Sequence, residues 1–460
     1  MDYVRRALVA RGASHCGYPR CVAGGNDNPT DDQPVLRLGR PERAPTPGLV
    51  VAFVQGAPHY EAIVIPKGRV FTIGRSPRCD VIVEDGGVSR EHLAASHDGA
   101  VWRFRDLGAN NGSFVDGARI AGDVAASDPK CVRLGRSTVL VPVDDVAPYL
   151  ERGVRIEAGL VLGPLVGAAY AKLEQWGAAG HPVLIRGETG TGKHDAAACY
   201  ARACRRPMNA INVALATANL APSTLFGAKK GAYSGADADR DGWFGGAHGK
   251  VLFLDEIGEL PLEVQAMLLH AVETGEIVPV GATASRKVDV RVVAATHVDL
   301  EAAVRGGKFR SDLLARLEKR SVVLPPLRER LSDVPHMIAA SIAKEAAKQG
   351  REALPASGML VEACMLYAWP RNMRQLDTAI GQALEDAWAD RAGPRELGVE
   401  HCPEVDVREV GGAAAGVGEG ARLEALKAAY ARRGSVRGAA EEVGMARSTA
   451  HAWLRGAGVI

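Results

Sequence analysis

Seven consecutive residues, Gly187-Glu188-Thr189-Gly190-Thr191-Gly192-Lys193, have the types and spacing of a phosphate cradle. Glycines let the backbone turn its N–H groups toward anionic oxygens, and a lysine at the mouth of a helix neutralises charge on the β and γ phosphates of a nucleotide. The apolar run Val183-Leu184-Ile185 precedes the loop and a helical stretch over 195–205 follows it, which is the strand-loop-helix context such a cradle needs. A second apolar run, Val251-Leu252-Phe253-Leu254, ends in Asp255-Glu256. At that strand end Asp255 can hold Mg2+, and Glu256 can orient or deprotonate a water that attacks the γ phosphate. ATP binding and hydrolysis are the chemistry this pattern supports.

Continuous apolar runs that alternate with helical stretches over 156–323 belong to a parallel sheet buried on both faces in an α/β domain. The chain of 460 residues is too long for one core, so further domains are expected on either side. Short runs at Val50-Val51-Ala52-Phe53-Val54, Val70-Phe71-Thr72-Ile73, Val81-Ile82-Val83 and Val101-Trp102-Arg103-Phe104, separated by Gly, Asp and Asn turns, have the spacing of an all-β sandwich over 48–146. Residues 329–400 read as helices that form a lid on the α/β unit of 156–328. Residues 1–47 read as a disordered tail, and 401–420 as a linker that contains a Gly/Ala-rich stretch at 411–420.

Lys plus Arg number 56 against 54 Asp plus Glu, a net +2, so any nucleic-acid surface must be local. The segment 421–460 provides one: Arg422, Lys427, Arg432, Arg433, Arg437, Arg447 and Arg455 stand against Glu424, Glu441 and Glu442. The eight cysteines form no C-x-x-C pair, which reads as reduced thiols in a cytoplasmic protein. His15, Cys16 and Cys21 lack a second half-site and are read as tail, not as metal ligands. No apolar run reaches membrane-spanning length.

The cradle is followed by Leu225-Phe226-Gly227, then Gly231-Ala232-Tyr233-Ser234-Gly235-Ala236, then Phe253-Leu254-Asp255-Glu256. This ordered set resembles the AAA+ domain of bacterial sigma-54-dependent transcription activators. The resemblance implies that Asn212 switches the catalytic glutamate. It also implies that Arg310 and Arg316, in Phe309-Arg310-Ser311-Asp312-Leu313-Leu314-Ala315-Arg316-Leu317, reach a neighbouring subunit's γ phosphate in a homo-oligomeric ring, a hexamer by analogy. Arg374, in Trp369-Pro370-Arg371-Asn372-Met373-Arg374-Gln375-Leu376, takes the nucleotide-sensing position of the lid. The glycine-bounded loop 231–236 corresponds to the family's Gly-Ala-Phe-Thr-Gly-Ala and implies contact with sigma-54 RNA polymerase through an aromatic tip. This chain departs from the family at His194, usually Glu there and Ser or Thr in most phosphate loops, and at His297, where the family has an asparagine that senses the γ phosphate. Thr224 and Gly245 replace acidic residues common in the family.

Gly74-Arg75, Ser89-Arg90-Glu91-His92 and Asn110-Asn111-Gly112, in that order within the strand-rich segment, resemble the forkhead-associated (FHA) domain, which binds phosphothreonine peptides. Arg75 can make charge-assisted bonds to a phosphate, Ser89 can add a hydroxyl, and Asn110 or Asn111 can hold the peptide backbone. Arg90 reads equally as a phosphate contact or as exposed surface, and His92 as a brace for the loops. At the other end, helical periods broken at Gly434 and Gly444 match a helix-turn-helix and resemble the family's Fis-type unit. Arg447, Ser448, Thr449 and His451 would then face the major groove or its phosphates, and Arg455 the DNA backbone.

The sequence thus reads as a multidomain transcription activator. It combines an FHA sandwich with phosphothreonine-peptide input, an AAA+ ATPase using ATP and Mg2+, and a small all-α DNA-binding unit for upstream activator DNA. A second reading makes it a DNA-binding regulator or phosphopeptide scaffold whose AAA+ domain binds nucleotide but hydrolyses it weakly, because of His194 and His297.

Overall fold

The computed structural model describes residues 44–405 except 158, 216–219, 234–236, 391 and 392, together with scattered residues between 426 and 459. Short N-terminal strands pair into two mostly antiparallel sheets. One runs Ala57–Val64, Gly48–Val54, Thr138–Val143, Val132–Leu134, Ser113–Val115, Ala118–Arg119; the other runs Val81–Ile82, Phe71–Gly74, Leu93–His97, Trp102–Asp106, Asp123–Ala126. Alternate residues from both, among them Leu49, Val51, Ile73, Leu93, Trp102, Phe104, Val132 and Leu140, fill the space between the sheets.

Two strands break the usual alternation of apolar and polar residues. Gly48–Val54 is buried over its first six residues, and Thr138–Val143 over its first five. Leu49, Val51 and Leu140 enter the sandwich core, while Val50, Ala52, Val139 and Val141 point the other way into a separate core. A register shift between Val51 and Phe53 places Phe53 in that second core beside Ala52. The outer face of this sheet is therefore covered by protein.

The central domain has a five-stranded parallel sheet in the order Met208–Asn212, Val251–Asp255, Arg291–Thr296, Val183–Arg186, Ser321–Val323. Leu184, Leu252, Leu254, Val292 and Ala294 face one helical layer, and Val183, Ile185, Val251, Phe253, Val293 and Ala295 the other. Burial on both faces is why these strands read as unbroken apolar runs. Among the described residues no helix is long and apolar enough to cross a membrane, and the six described cysteines are free.

Three longer helices, Val334–Gln349, Gly358–Leu366 and Asn372–Ala389, form the lid. It runs past the boundary placed at 400, because two short 3-10 turns carry Cys402 and Val405 into the lid core. The expected linker proper and the far N-terminal tail lie outside the described residues. At the tail's end, the carbonyls of Thr46 and Pro47 accept hydrogen bonds from Val146 and Ile65.

The core that receives the outer face of the sandwich is the core of the lid. Val50, Ala52, Phe53, Val139 and Val141 pack in one cluster with Ile338, Leu360, Val361, Cys364 and Ile380. Inside this interface Arg133 Nε donates to Glu362 Oε2 at 2.6 Å, with the two side chains 7% and 1% exposed. The Arg133 guanidinium also donates to the Gly135 carbonyl and lies 3.8 Å from the centre of the Phe114 ring. Burial pushes the Glu362 carboxyl above its ordinary range, with Arg133 opposing the shift. Glu362→Ala would leave a buried guanidinium without its counter-ion, so chemical denaturation of this variant is expected to show a loss of about 3–5 kcal/mol. The Arg133→Met/Glu362→Leu double variant is expected to lose far less. Equal losses in the two would rule out the pair as the source.

Candidate functional site

The sheet delivers its chemistry at the C-terminal ends of adjacent strands. Val183–Arg186 runs into the phosphate loop, and the loop into the helix Lys193–Cys204. Gly187, Gly190 and Gly192 have φ of 157°, 81° and 94°, backbone that residues with a Cβ resist. Thr191 is buried, with its hydroxyl on the Glu188 carbonyl at 2.8 Å. Lys193 Nζ donates to the carbonyls of Gly187 and Glu188 at 2.9 and 3.2 Å. Burial pushes the lysine below its ordinary range, the carboxylates of Glu256 and Asp255 oppose this, and Arg374 adds to the lowering. Lys193, Asp255, Glu256 and Arg374 therefore form one electrostatic cluster.

Asp255 ends the strand Val251–Asp255 half-buried, and desolvation followed by the neighbouring Glu256 raises its carboxyl. A desolvated carboxylate opposite a lysine at the mouth of a phosphate loop fits a divalent cation. His194 is exposed, 3.9 Å from Asp195, and supplies no hydroxyl at the loop. Glu256 sits in left-handed backbone at φ 58°.

The structure pairs Glu256 with a residue other than Asn212. Asn212 accepts from the backbone N–H of Ala214 at 2.9 Å, and its strand register sets it opposite Asp255. Glu256 Oε2 instead meets His297 Nδ1 at 2.6 Å. The left-handed turn after Asp255 swings the glutamate toward the end of Arg291–Thr296, where His297 follows.

The lid and the turn that leads into it grip the loop through groups whose part in this contact was not read from the sequence. Asn372, buried at φ 51°, accepts from Leu327 N at 2.7 Å and donates to Glu188 Oε2 at 3.1 Å and the Thr189 carbonyl at 3.0 Å. Arg328 makes two bonds to Glu188, at 2.9 and 2.6 Å, and holds that carboxyl below its ordinary range. Arg374, exposed, rises from the helix that Asn372 begins. Beside the loop lies a cavity of about 730 Å³, lined among others by Leu160, Asp195, Met337, Met373 and Asp377. Its apolar walls adjoining a phosphate cradle suit a nucleotide base.

Among the described residues, the arginines expected to act in trans form no hydrogen bond or ion pair with this cluster. Arg310 is bridged to Asp312 at 2.7 Å, and Arg316 Nε is buried without a protein partner. Of the 231–236 loop, Gly231, Ala232 and Tyr233 are described, while Ser234, Gly235 and Ala236 lie outside the described residues. The base of this loop is pinned by bonds between Ala228 and Arg240 and by Lys229 to Asp239 at 2.6 Å. Arg447, Ser448, Thr449 and His451 also lie outside the described residues; Arg455 is helical and exposed beside buried Leu454.

In the sandwich, Arg75, Arg90, Asn110 and Asn111 are exposed on loops at one end, with Ser89 half-buried among them. Ser89 Oγ accepts from Asn110 N at 3.2 Å, and Asn111 Nδ2 donates to the Gly87 carbonyl at 2.8 Å. Fully buried His92 accepts from Ser89 N at Nδ1, 3.0 Å, so its Nε2 carries the hydrogen for the Gly112 carbonyl at 3.0 Å. Burial lowers its pKa, which keeps the ring neutral as this brace requires.

A parallel α/β domain with a phosphate loop, a strand-end Asp-Glu pair and a helical lid is a nucleotide-binding domain of the AAA+ class, here joined to an FHA-like sandwich. Residues 164–323 match the Sigma-54 interaction domain family and residues 71–135 the FHA domain family. The chain is 42% identical over 219 residues to the nitric oxide reductase transcription regulator NorR2 of Cupriavidus necator, covering 47% of this chain and 42% of that protein. It is 46% identical over 198 residues to the transcriptional regulator NtrC of Klebsiella pneumoniae, covering 42% of each. The matched segment spans less than half the length of either relative. A crystal structure of NtrX from Brucella abortus in complex with ATP aligns at 26% identity over 64% of this chain and 67% of that one, with a TM-score of 0.48. The chain thus carries a sigma-54 interaction domain and an FHA domain, and it has bacterial transcription regulators among its relatives.

Asn372→Ala removes three hydrogen bonds and puts a residue less tolerant of positive φ at 51°. The expected loss is about 2 kcal/mol or more in thermal unfolding. An unchanged melting temperature would mean that the lid is held without it.

Proposed function

We propose that the chain is an ATP-driven transcription activator that binds upstream DNA through its C-terminal unit, takes a phosphothreonine peptide on its FHA domain and remodels sigma-54 RNA polymerase. The observation that carries the reading is the placement of Lys193 on the phosphate loop, Asp255 and Glu256 at the end of the strand Val251–Asp255, and Arg374 on the lid helix that bonds the loop, in a domain that also presents the pinned loop bearing Tyr233.

In this reading the loop's N–H groups and Lys193 bind the phosphates, and Arg374 reports their presence to the lid. Asp255 would hold Mg2+, whose chemistry is neutralisation of charge on the phosphate oxygens. Glu256 orients and deprotonates the attacking water, and His297, bonded to it at 2.6 Å, fixes where its carboxylate points. Arg310 and Arg316 complete a neighbour's site, which requires a ring. Tyr233 presents an aromatic with a polar handle to sigma-54. Arg75 and Ser89 receive the phosphate of the peptide, with Asn110 or Asn111 on its backbone.

The reading of a weakly hydrolysing regulator or scaffold draws on the same Glu256–His297 bond, which engages the oxygen that water activation needs, and on His194. ATP turnover across a protein concentration series separates the two. An activator should show specific activity that rises with assembly and falls by about 10²-fold or more in Glu256→Gln and in Arg316→Ala. Nucleotide binding without turnover at any concentration would favour the regulator. His297→Ala is expected to change kcat with little effect on KM, because it frees Glu256 without touching the phosphate loop. A change confined to KM would make His297 a binding residue instead.

A further inference from the structure

We propose that the FHA sandwich is part of the nucleotide site of its own chain, so that FHA occupancy and nucleotide occupancy alter each other's affinity through the lid. The inference rests on the nucleotide reading above. Its first support is the cavity beside the phosphate loop. The hairpin joining Gly48–Val54 to Ala57–Val64 turns through Gln55 and Gly56, at φ 50° and 80°, and places Pro58 in the wall of that cavity. Asp195 of the phosphate-loop helix and Met337, Met373 and Asp377 of the lid complete the walls around it. The Tyr60 hydroxyl, within 2.7 Å and 3.0 Å of the Tyr149 and Arg152 carbonyls, ties the same hairpin to the segment that leads into the α/β domain.

The second support is a short buried route from the phosphopeptide loops to the lid. Gly135 N donates to the Gly112 carbonyl at 2.9 Å, directly after Asn110 and Asn111. Arg133 donates to the Gly135 carbonyl, lies over Phe114, and is paired with Glu362 on the helix Gly358–Leu366. On that same helix a Cβ at Gly358 would overlap the Arg136 carbonyl oxygen, so the sandwich turn and the helix touch backbone to backbone. The helix shares its core with Asn372–Ala389, which holds the phosphate loop through Asn372 and carries Arg374. Every group on the route is packed or bonded to the next. A displacement at residues 110–112 therefore has to be taken up at the lid.

Linkage of this kind is reciprocal, and typical coupling is about 5- to 150-fold in affinity. The test is binding of a fluorescent N-methylanthraniloyl ADP to the full chain. Arg133→Glu sets like charges together in the interface, at residues that do not line the cavity, and is expected to weaken ADP binding about five-fold or more. The charge-swapped Arg133→Glu/Glu362→Arg chain is expected to recover most of that loss. Pro58→Gly, on a hairpin that needs no buried charge, is expected to weaken binding while lowering the melting temperature only slightly, and it decides the matter if Arg133→Glu does not fold. An unchanged ADP affinity in Pro58→Gly, and in a folded Arg133→Glu chain, would overturn the inference while leaving the nucleotide reading intact. A parent chain that binds no ADP analogue at all would overturn both.

Discussion

The arrangement depends on a contact that only glycine permits. A Cβ on Gly190 would overlap the carbonyl oxygen of Arg371 at the start of the last lid helix. Because that space is empty, the lid backbone closes onto the loop: Met373 N donates to the Gly190 carbonyl at 3.2 Å, and Asn372 reaches Glu188 and Thr189. The same approach brings Arg374 close enough to lower the Lys193 pKa. The phosphate loop is thus held between a sheet buried on both faces and a helical lid, and its conformation belongs to the junction more than to the loop.

A second constraint carries the junction outward. The sandwich leaves neither face of its 48–54 strand to solvent, since one face fills the sandwich and the other fills the lid. A buried arginine and glutamate inside that contact set its register, because a mispaired arrangement would strand charge in a dry interior. The sensor-like sandwich and the nucleotide-handling domain are therefore joined by a core, not by a tether.

The fold of each domain was legible in the sequence because hydrophobic periodicity reports local burial. Unbroken runs such as Val251-Leu252-Phe253-Leu254 announced a sheet covered on both sides, and the glycines of 187–192 announced a loop with unusual backbone. Val50-Val51-Ala52-Phe53-Val54 carried the same signal inside the sandwich, where unbroken apolarity meant a second covered face, but it was read only as a strand. What covers that face is a pairing between residues more than two hundred positions apart, such as Arg133 with Glu362, and no local period encodes it. At the site, residue types identified Lys193, Asp255 and Glu256, and the structure gathers them. The bond from Glu256 to His297 was not read from the sequence, because strand register and the left-handed turn at Glu256 decide it, and neither is visible in spacing. Asn372 stood in the quoted 369–376 segment, yet its grip on Glu188 and Thr189, like that of Arg328 on Glu188, depends on how the lid folds back.

We propose that nucleotide chemistry at Lys193 and Glu256 is spent on sigma-54 through the loop that carries Tyr233. Its most direct test is capture of purified sigma-54 by the full chain in three states: without nucleotide, with ADP, and with ADP and aluminium fluoride as a mimic of the phosphoryl group in flight. Retention only in the third state, lost in Tyr233→Ala, is the expected result. Retention that is indifferent to nucleotide, or none in any state from a chain that hydrolyses ATP, would contradict it.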